Sequence, residues 1–301
     1  MRQGITSRSD KRWFPVSAIS RFVALRNKGV AGLAIFVGTI IVLSISLMTV
    51  SAPWISPRDP SAINVGPVLA SPSIDFPLGT DHLGRDMLSR VISGGSIMLQ
   101  VALLSVPICL FVGVPIGLLA AYIGGTPEKV TSLVMDCVYA FPGLILAIAI
   151  AAVLGPGVFN MTLAIVVVYI PSYYRVVRSQ VLSIKELTYV DAARAIGASG
   201  PSIVFRYILP SVLPSVIAVS SVNFADAILT AAGLTFIGLG LPVSTPDWGW
   251  DLTNGRQLLP SGAWWVMAFP GIMIVLLALG FTLVGEGLNE LLNPKLEVQV
   301  S

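Results

Sequence analysis

Residue types that carry out enzyme chemistry are scarce in this chain of 301 residues. It has one histidine, His82, and two cysteines, Cys109 and Cys137, both in apolar runs. One imidazole excludes a histidine-based metal cluster, and two thiols in such surroundings read as buried core residues rather than a disulfide or a metal pair. There is no G-x-x-x-x-G-K-[ST] phosphate loop, so no ATP hydrolysis is expected from the chain itself. No nucleophile–base pair emerges, and an enzyme is not the expectation. The polar chemistry gathers in three places. One is "YVDAARAIGASGPSIVFRYILP", Tyr189 to Pro210; the second is Asp226 with Asn223 and Ser220; the third is Asp81, Arg85 and Asp86 together with Asp247, Trp248 and Trp250.

The first stretch reads as two helical arms around a glycine. Leu187, Val190 and Ala193 or Arg194 recur at helical spacing from Glu186 to Ile196. Gly197 can close that helix in the left-handed conformation. Ser199 or Gly200 then caps a second helix with Pro201 in its first turn, and Ile203, Val204, Tyr207 and Ile208 form an apolar face. Leu209-Pro210 is expected to turn the chain back toward the membrane. Small residues on the first arm (Ala192, Ala193, Ala195, Gly197) permit close approach by another protein.

The elements around these residues are apolar. The chain is 55% hydrophobic and 11% charged, against about 25% charged in a typical soluble domain. Such a chain belongs in a bilayer, and its net charge of +3 argues for no nucleic-acid partner. A crossing needs about 20 apolar residues. Six spans are expected: Val30 to Val50, Ile97 to Ile123, Leu133 to Leu154, Met161 to Tyr174, Leu213 to Ile237 and Trp264 to Gly285. "GPGVFN", Gly155 to Asn160, makes the third and fourth a tight hairpin. Pro107, Pro115, Pro142, Pro171, Pro214 and Pro270 lie in or beside spans, as static kinks or as hinges. The apolar run after the basic leader is not read as a cleavable signal peptide.

Lys and Arg set the orientation. With the N-terminus inside, 14 of them are cytoplasmic: the seven before the first span, Lys129, the five from Arg175 to Arg206, and Lys295. Only Arg58, Arg85, Arg90 and Arg256 lie outside. Both termini are therefore expected in the cytoplasm, as is the 186–210 loop. The organisation is a basic arm 1–29 touching anionic lipid, the first span 30–50, an extracytoplasmic segment 51–96, a five-helix core 97–290 and a tail 291–301.

Asp226 sits in the middle of the fifth span, where a carboxylate must face the bundle interior or a water-filled path. A hydrogen bond to Asn223 or Ser220 is the first expectation, and contact with a passing solute or a gate the second. Tyr169, Tyr173 and Tyr174 fit interfacial anchors, with Tyr169 also a pathway residue. Asp136 is expected to pair with Lys129, Arg175 or Arg178. Asp81, Arg85 and Asp86 fit either a docking surface for an extracytoplasmic protein or the capping of a short helix. Asp247 and Trp248 fit a docking or gate region, or an aromatic anchor.

Asp191-Ala192-Ala193, Gly197 and Ile208-Leu209-Pro210 resemble the EAA loop of ABC importer permeases. "PLGTDHLGRDMLSRVISGGSIML" (Pro77 to Leu99), "MDCVYAFPGLILAIAIAAVLGPGVFN" (Met135 to Asn160), "GLTFIGLGLPVSTPDWG" (Gly233 to Gly249) and "NPKL" (Asn293 to Leu296) resemble the C-type permeases for dipeptides, oligopeptides and nickel. The resemblance covers roughly residues 20 to 297. It departs at Asp191, where Glu is usual, and at Ala231, where many relatives place an acid.

The resemblance implies an all-α integral membrane fold of the type I importer permease class in a bacterial inner membrane. It implies a coupling helix that docks into a cytoplasmic ATPase, carried here by Glu186, Tyr189, Asp191, Ala192, Ala193, Arg194, Gly197, Ala198, Leu209 and Pro210. The implied partners are a second, related permease, one or two ABC ATPase subunits that hold ATP and Mg, an extracytoplasmic binding protein and membrane lipid. No cofactor or metal is expected in this chain. The implied cargo is a dipeptide or oligopeptide, with nickel complexes, glutathione or another small solute open. The rival class, a stand-alone secondary transporter or channel, predicts inverted repeats or coupling carboxylates. No clear repeat is seen, and Asp226 is the one acid well inside a span.

Overall fold

The computed structural model describes residues 29–240 and 245–292. The basic arm up to residue 28, Lys295 and the NPKL ending lie outside the described residues. Five helices are long and apolar enough to cross a membrane: α1 (Gly29–Val50), α4 (Ser96–Ile123) led by α3 (Met87–Ser93), α7 (Val158–Ile184), α10 (Leu209–Phe236) and α12 (Trp265–Leu292). The short α2 (Ala52–Ile55) follows α1, and α11 (Trp248–Leu258) precedes α12.

The expected third span is not one rod. It is α5 (Gly125–Tyr139) and α6 (Gly143–Leu154), bent by 86° at the break between them. Pro142, which precedes α6, takes φ −56° and ψ 123°, an extended conformation that ends one helix before the next begins. With the pair taken as one broken span, the count among the described residues is six. The expected fourth span is also longer, because α7 carries Arg175 and Arg178 on its last turns instead of stopping at Tyr174. Their charges are paired across to α5: Arg175 to Asp136 at 2.7 Å and Arg178 to Glu128 at 2.6 Å.

The core is built where α4, α7 and α10 meet, with Val101, Ile165, Val177, Ile228 and Leu234 buried. Close approach of α4 to α7 rests on Gly113 and Gly117. A Cβ at Gly113 would stand 2.7 Å from Tyr173 Cβ, and one at Gly117 would stand 2.9 Å from the Tyr174 carbonyl oxygen. Small residues four apart let two membrane helices touch backbone to backbone. The same crossing buries Tyr173 and Tyr174 inside the bundle, so neither is the interfacial anchor expected. Cys109 is buried as expected, whereas Cys137, on α5, is exposed. Helix α5 has no buried residue in this chain, unlike every long span, which is why its thiol lies open.

Candidate translocation cavity and coupling loop

The break between α5 and α6 opens on a cavity of about 660 Å³. Its walls are Tyr139, Phe141, Pro142 and Leu144 at the break, Tyr169 and Ser172 on α7, and Asn223, Asp226 and Thr230 on α10. The three residues expected in a pathway therefore share one cavity. At 1.5 Å rise per residue, Tyr169 lies about 16 Å beyond the start of α7 and Asp226 about 15 Å before the end of α10. The opposite ends of these helices are joined through residues 185–208, so both distances are measured from the same face. The cavity thus sits near the middle of a core about 30 Å thick. Non-helical backbone is tolerated at that depth where it lines a water-filled space.

Most polar groups of the wall are engaged. Tyr169 Oη is 2.8 Å from Thr230 Oγ1 and donates to the Asp226 carbonyl at 3.3 Å. Ser172 Oγ donates to Asn223 Oδ1 at 3.4 Å, and behind the wall Tyr173 Oη donates to Ser220 Oγ at 3.0 Å. Asn223 is 3% exposed, and its Nδ2, with almost no accessible surface, lies against the buried Tyr173. One group of the wall is not engaged. The expected side-chain bond from Asp226 to Asn223 or Ser220 does not form. Asp226 is half-buried, faces the cavity, and pairs with no side chain among the described residues.

The loop after α7 holds α8 (Thr188–Ala195), whose end obeys a local rule. Gly197 has φ +84°; its N–H bonds the Arg194 carbonyl at 3.0 Å, and the Ala198 N–H bonds the Ala193 carbonyl at 3.0 Å. That pair of bonds closes a Schellman motif around a left-handed glycine. Val190 and Ala193 are buried and fasten α8 to the bundle. Glu186, Tyr189, Asp191, Ala192, Arg194 and Gly197 are exposed. Of the residues expected to meet a partner, Ala193 thus faces its own chain, and Ala198 and Leu209 are partly covered.

The second arm is not a separate helix. Helix α9 (Gly200–Ile203), a π-helical turn (Val204–Ile208) and α10 form one apolar helical run of 37 residues. Leu209-Pro210 does not turn the chain. Pro210 has no N–H for the Arg206 carbonyl, and the Leu209 N–H reaches back five residues to Val204, so the run continues through a wider turn.

The polar residues of segment 51–96 and of the start of α11 are knotted together. Asp81 accepts from the Leu83 N–H at 2.8 Å, the Arg85 N–H at 2.9 Å and Arg85 Nε at 2.6 Å. Asp86 caps α3, accepting from the Ser89 N–H at 3.0 Å and Ser89 Oγ at 2.6 Å. Asp247 caps α11 through the Gly249 N–H at 2.7 Å, and Trp248 Nε1 donates to the Val91 carbonyl at 2.8 Å. All five residues expected as docking or gate surface are at most 2% exposed. They hold the segment together from inside and offer no side-chain surface to dock on.

Sequence reading missed the central pair of this knot. Arg90 Nη2 lies 2.6 Å from Asp251 Oδ1, both buried, joining α3 to α11. Trp265 Nε1 donates to the Thr80 carbonyl at 3.0 Å. The one signal was an arginine and an aspartate at the edges of apolar runs, which fixes no partner. Burial pushes the Asp247 carboxyl up to about 6, against the N–H groups of Gly249 and Trp250 that pull it down.

Residues 113–298 match the family described as "Binding-protein-dependent transport system inner membrane component". The chain belongs to that family. It is 39% identical to the dipeptide transport system permease protein DppC of Alkalihalophilus pseudofirmus, over 87% of this chain and 86% of that one. It is 40% identical to the probable D,D-dipeptide transport system permease protein DdpC of Escherichia coli, over 85% and 86%. It is 39% identical to the glutathione transport system permease protein GsiD of Pectobacterium atrosepticum, over 75% of each. The chain is thus a multi-pass permease of the bacterial inner membrane and of the ABC importer class. The long α-helices, the broken third span and the cavity at its break are the structural form of that permease.

Proposed function

We propose that this permease forms half of the translocation pathway of an ATP-driven importer for dipeptides or oligopeptides. A second, related permease supplies the other half, and an extracytoplasmic binding protein delivers the cargo. One or two cytoplasmic ATPases bind the nucleotide and magnesium. Both termini and the 186–210 loop lie in the cytoplasm, in keeping with the concentration of Lys and Arg on that side.

The observation that carries the coupling reading is the build of the loop. Helix α8 is short, exposed on its outer face, pinned by Val190 and Ala193, and closed by a Schellman turn. The turn leads into a helical run continuous with α10, which lines the cavity. A push on α8 therefore reaches Asp226 along one rod. The peptide reading is supported by relatives named for dipeptides at 39 to 40% identity. Glutathione is the second reading, favoured by the similarity to a glutathione permease over 75% of the chain.

The test is a gentle detergent extraction of the tagged permease from its native membranes, with co-purifying chains identified by mass spectrometry. Uptake of radiolabelled dialanine and of glutathione is measured in the same cells. Recovery of a second permease and a P-loop ATPase, with dialanine uptake lost on deletion, is expected. Recovery of the chain alone, or with copies of itself only, sinks the importer reading.

A further inference from the structure

We propose that the groove between α11 and α12 is a binding site for one anionic phospholipid, with the phosphate at Arg256 and an acyl chain along the groove. The site lies apart from the cavity at the α5–α6 break and is independent of the cargo.

Gly255 brings the two helices together: a Cβ there would stand 2.6 Å from the Met267 nitrogen. Alongside this contact runs a groove of about 490 Å³. No residue that lines it has a charged, hydroxyl or amide side chain. Leu252 and Leu259 form one bank, and the other follows the chain from Trp264 through Gly271 to Leu276. Gly271 keeps the groove open, since a Cβ there would already stand 3.3 Å from Leu252 Cδ2. Trp264, Ile272 and Val275 are exposed along it, so it opens outward from the bundle. From Trp264 to Leu276 the rise is about 18 Å at about 1.5 Å per residue. Half of the hydrocarbon core is about 15 Å. The groove therefore has the length of an acyl chain in one leaflet.

One end of the groove is polar and the other is not. Trp264 stands at the start of α12, where an indole sits at the level of the headgroups. Arg256 is four residues from Leu252 and so shares its side of α11. It is exposed and pairs with no acid among the described residues. Its guanidinium lies 6.0 Å from the Phe236 ring centre, at the outer reach of a cation–π contact. The other arginines toward this end of the bundle are engaged: Arg85 with Asp81, Arg90 with Asp251, and Arg58 at 3.6 Å from Asp86.

The groove by itself accepts any acyl chain, and the charge at its end makes the choice. A guanidinium matches the oxygens of a phosphate. An ammonium beside that phosphate finds no carboxylate to meet. Asp251 is 1% exposed and held by Arg90, and α12 carries no charge before Glu286. Charge complementarity thus favours phosphatidylglycerol, with a net negative headgroup, over phosphatidylethanolamine, whose phosphate is balanced by its own ammonium.

The experiment places the permease complex, purified with its partner chains, in nanodiscs of equal phosphatidylglycerol and phosphatidylethanolamine. A trace of one lipid or the other carries a photoreactive diazirine on its acyl chain. Labelled peptides are identified by mass spectrometry. Labelling of residues 252–276 is divided by that of residues 40–50 of α1, where exposed Ile40, Leu43 and Leu47 report lipid met without selection. The ratio is expected to be about fivefold higher for phosphatidylglycerol, the worth of one arginine at an anionic lipid surface. Arg256→Gln should bring it down to the phosphatidylethanolamine value, and Arg256→Lys should keep most of it. Equal ratios for the two lipids overturn the proposal, as does an Arg256→Gln complex labelled like the parent. Absence of labelling in 252–276 by either lipid also overturns it and makes a protein chain the occupant of the groove. If Arg256→Gln fails to assemble, the comparison of the two lipids on the parent complex decides alone.

Discussion

The knot of segment 51–96 with α11 and the 186–210 loop are both polar interruptions of an apolar chain, and they are built in opposite ways. In the first, the charged and indole groups turn inward and find partners: Asp81 with Arg85, Arg90 with Asp251, Trp248 with Val91, Trp265 with Thr80. In the second, two small apolar residues turn inward, and the polar groups face out with one exposed pair, Arg194 to Asp191 at 2.9 Å, between them. A segment that must keep its shape without help turns its charged groups inward and pairs them with one another. A segment that awaits a partner leaves them open, and its rigidity comes from caps and a continuous helix.

The largest effect that tests this contrast is at Arg90. Arg90→Ala leaves Asp251 buried without its cation, and removal of one partner of such a pair costs about 3–5 kcal/mol. A fall in the thermal midpoint of the purified complex, together with new protease sites in residues 51–96, is expected. Replacing both partners at once, as Arg90→Met with Asp251→Leu, should recover most of the loss. A single variant as stable as the parent would show that the knot is not held from inside.

Asp247 gives the next effect, through pH. Its folded carboxyl lies near 6, above its unfolded value of 3.8, so the folded state binds the extra proton. Its contribution to stability is therefore fully present below about pH 4 and is lost as pH rises through about 6. At about 1.4 kcal/mol per pKa unit the change is about 3 kcal/mol. Asp247→Asn keeps a capping side chain and removes the ionisation. Thermal midpoints measured from pH 4 to 7 should slope downward for the parent relative to this variant; parallel curves refute the assignment.

On the other side of the comparison, Asp191→Lys with Gly197→Trp should cut recovery of the ATPase at least about tenfold while the permease still inserts. A side chain at Gly197 meets nothing within 4 Å in this chain, though φ is +84°. The backbone strain, about 1–2 kcal/mol for a residue with a Cβ there, is measured separately with Gly197→Ala. If Gly197→Ala alone abolishes ATPase recovery, the turn and not the surface is what the partner needs. The smallest effect is expected at Arg175→Ala. Its pair with Asp136 is exposed on both sides, and such pairs contribute about 0–1 kcal/mol, so the midpoint should barely move.

Much of this was legible along the chain. A crossing depends on the length of an apolar run, so the spans could be counted; a Schellman turn depends on one glycine and its near neighbours, so the end of α8 could be placed. Positions of Asn223, Asp226 and Tyr169 could be named, since a polar group in a span is conspicuous. Other features depend on pairing across distance. Arg90 and Asp251 are 161 residues apart, and nothing local says that each is the other's counter-ion. The 86° break was hidden because Pro142 within an apolar run reads equally as a kink in one span or the end of a helix. Leu209-Pro210 misled for the same reason: a proline can close a helix or, with a π turn before it, sit inside one.

By itself, then, the sequence determined that this is an all-helical membrane chain, where it crosses, and which residues carry the family likeness, because hydrophobic length, charge bias and turn chemistry are local properties. Only the tertiary structure decided which way the polar groups turn. It placed Asp81, Arg85, Asp86, Asp247 and Trp248 inside and left Asp226 facing an open cavity. Burial and pairing are settled by what the rest of the fold brings alongside, and no stretch of the chain holds that information alone.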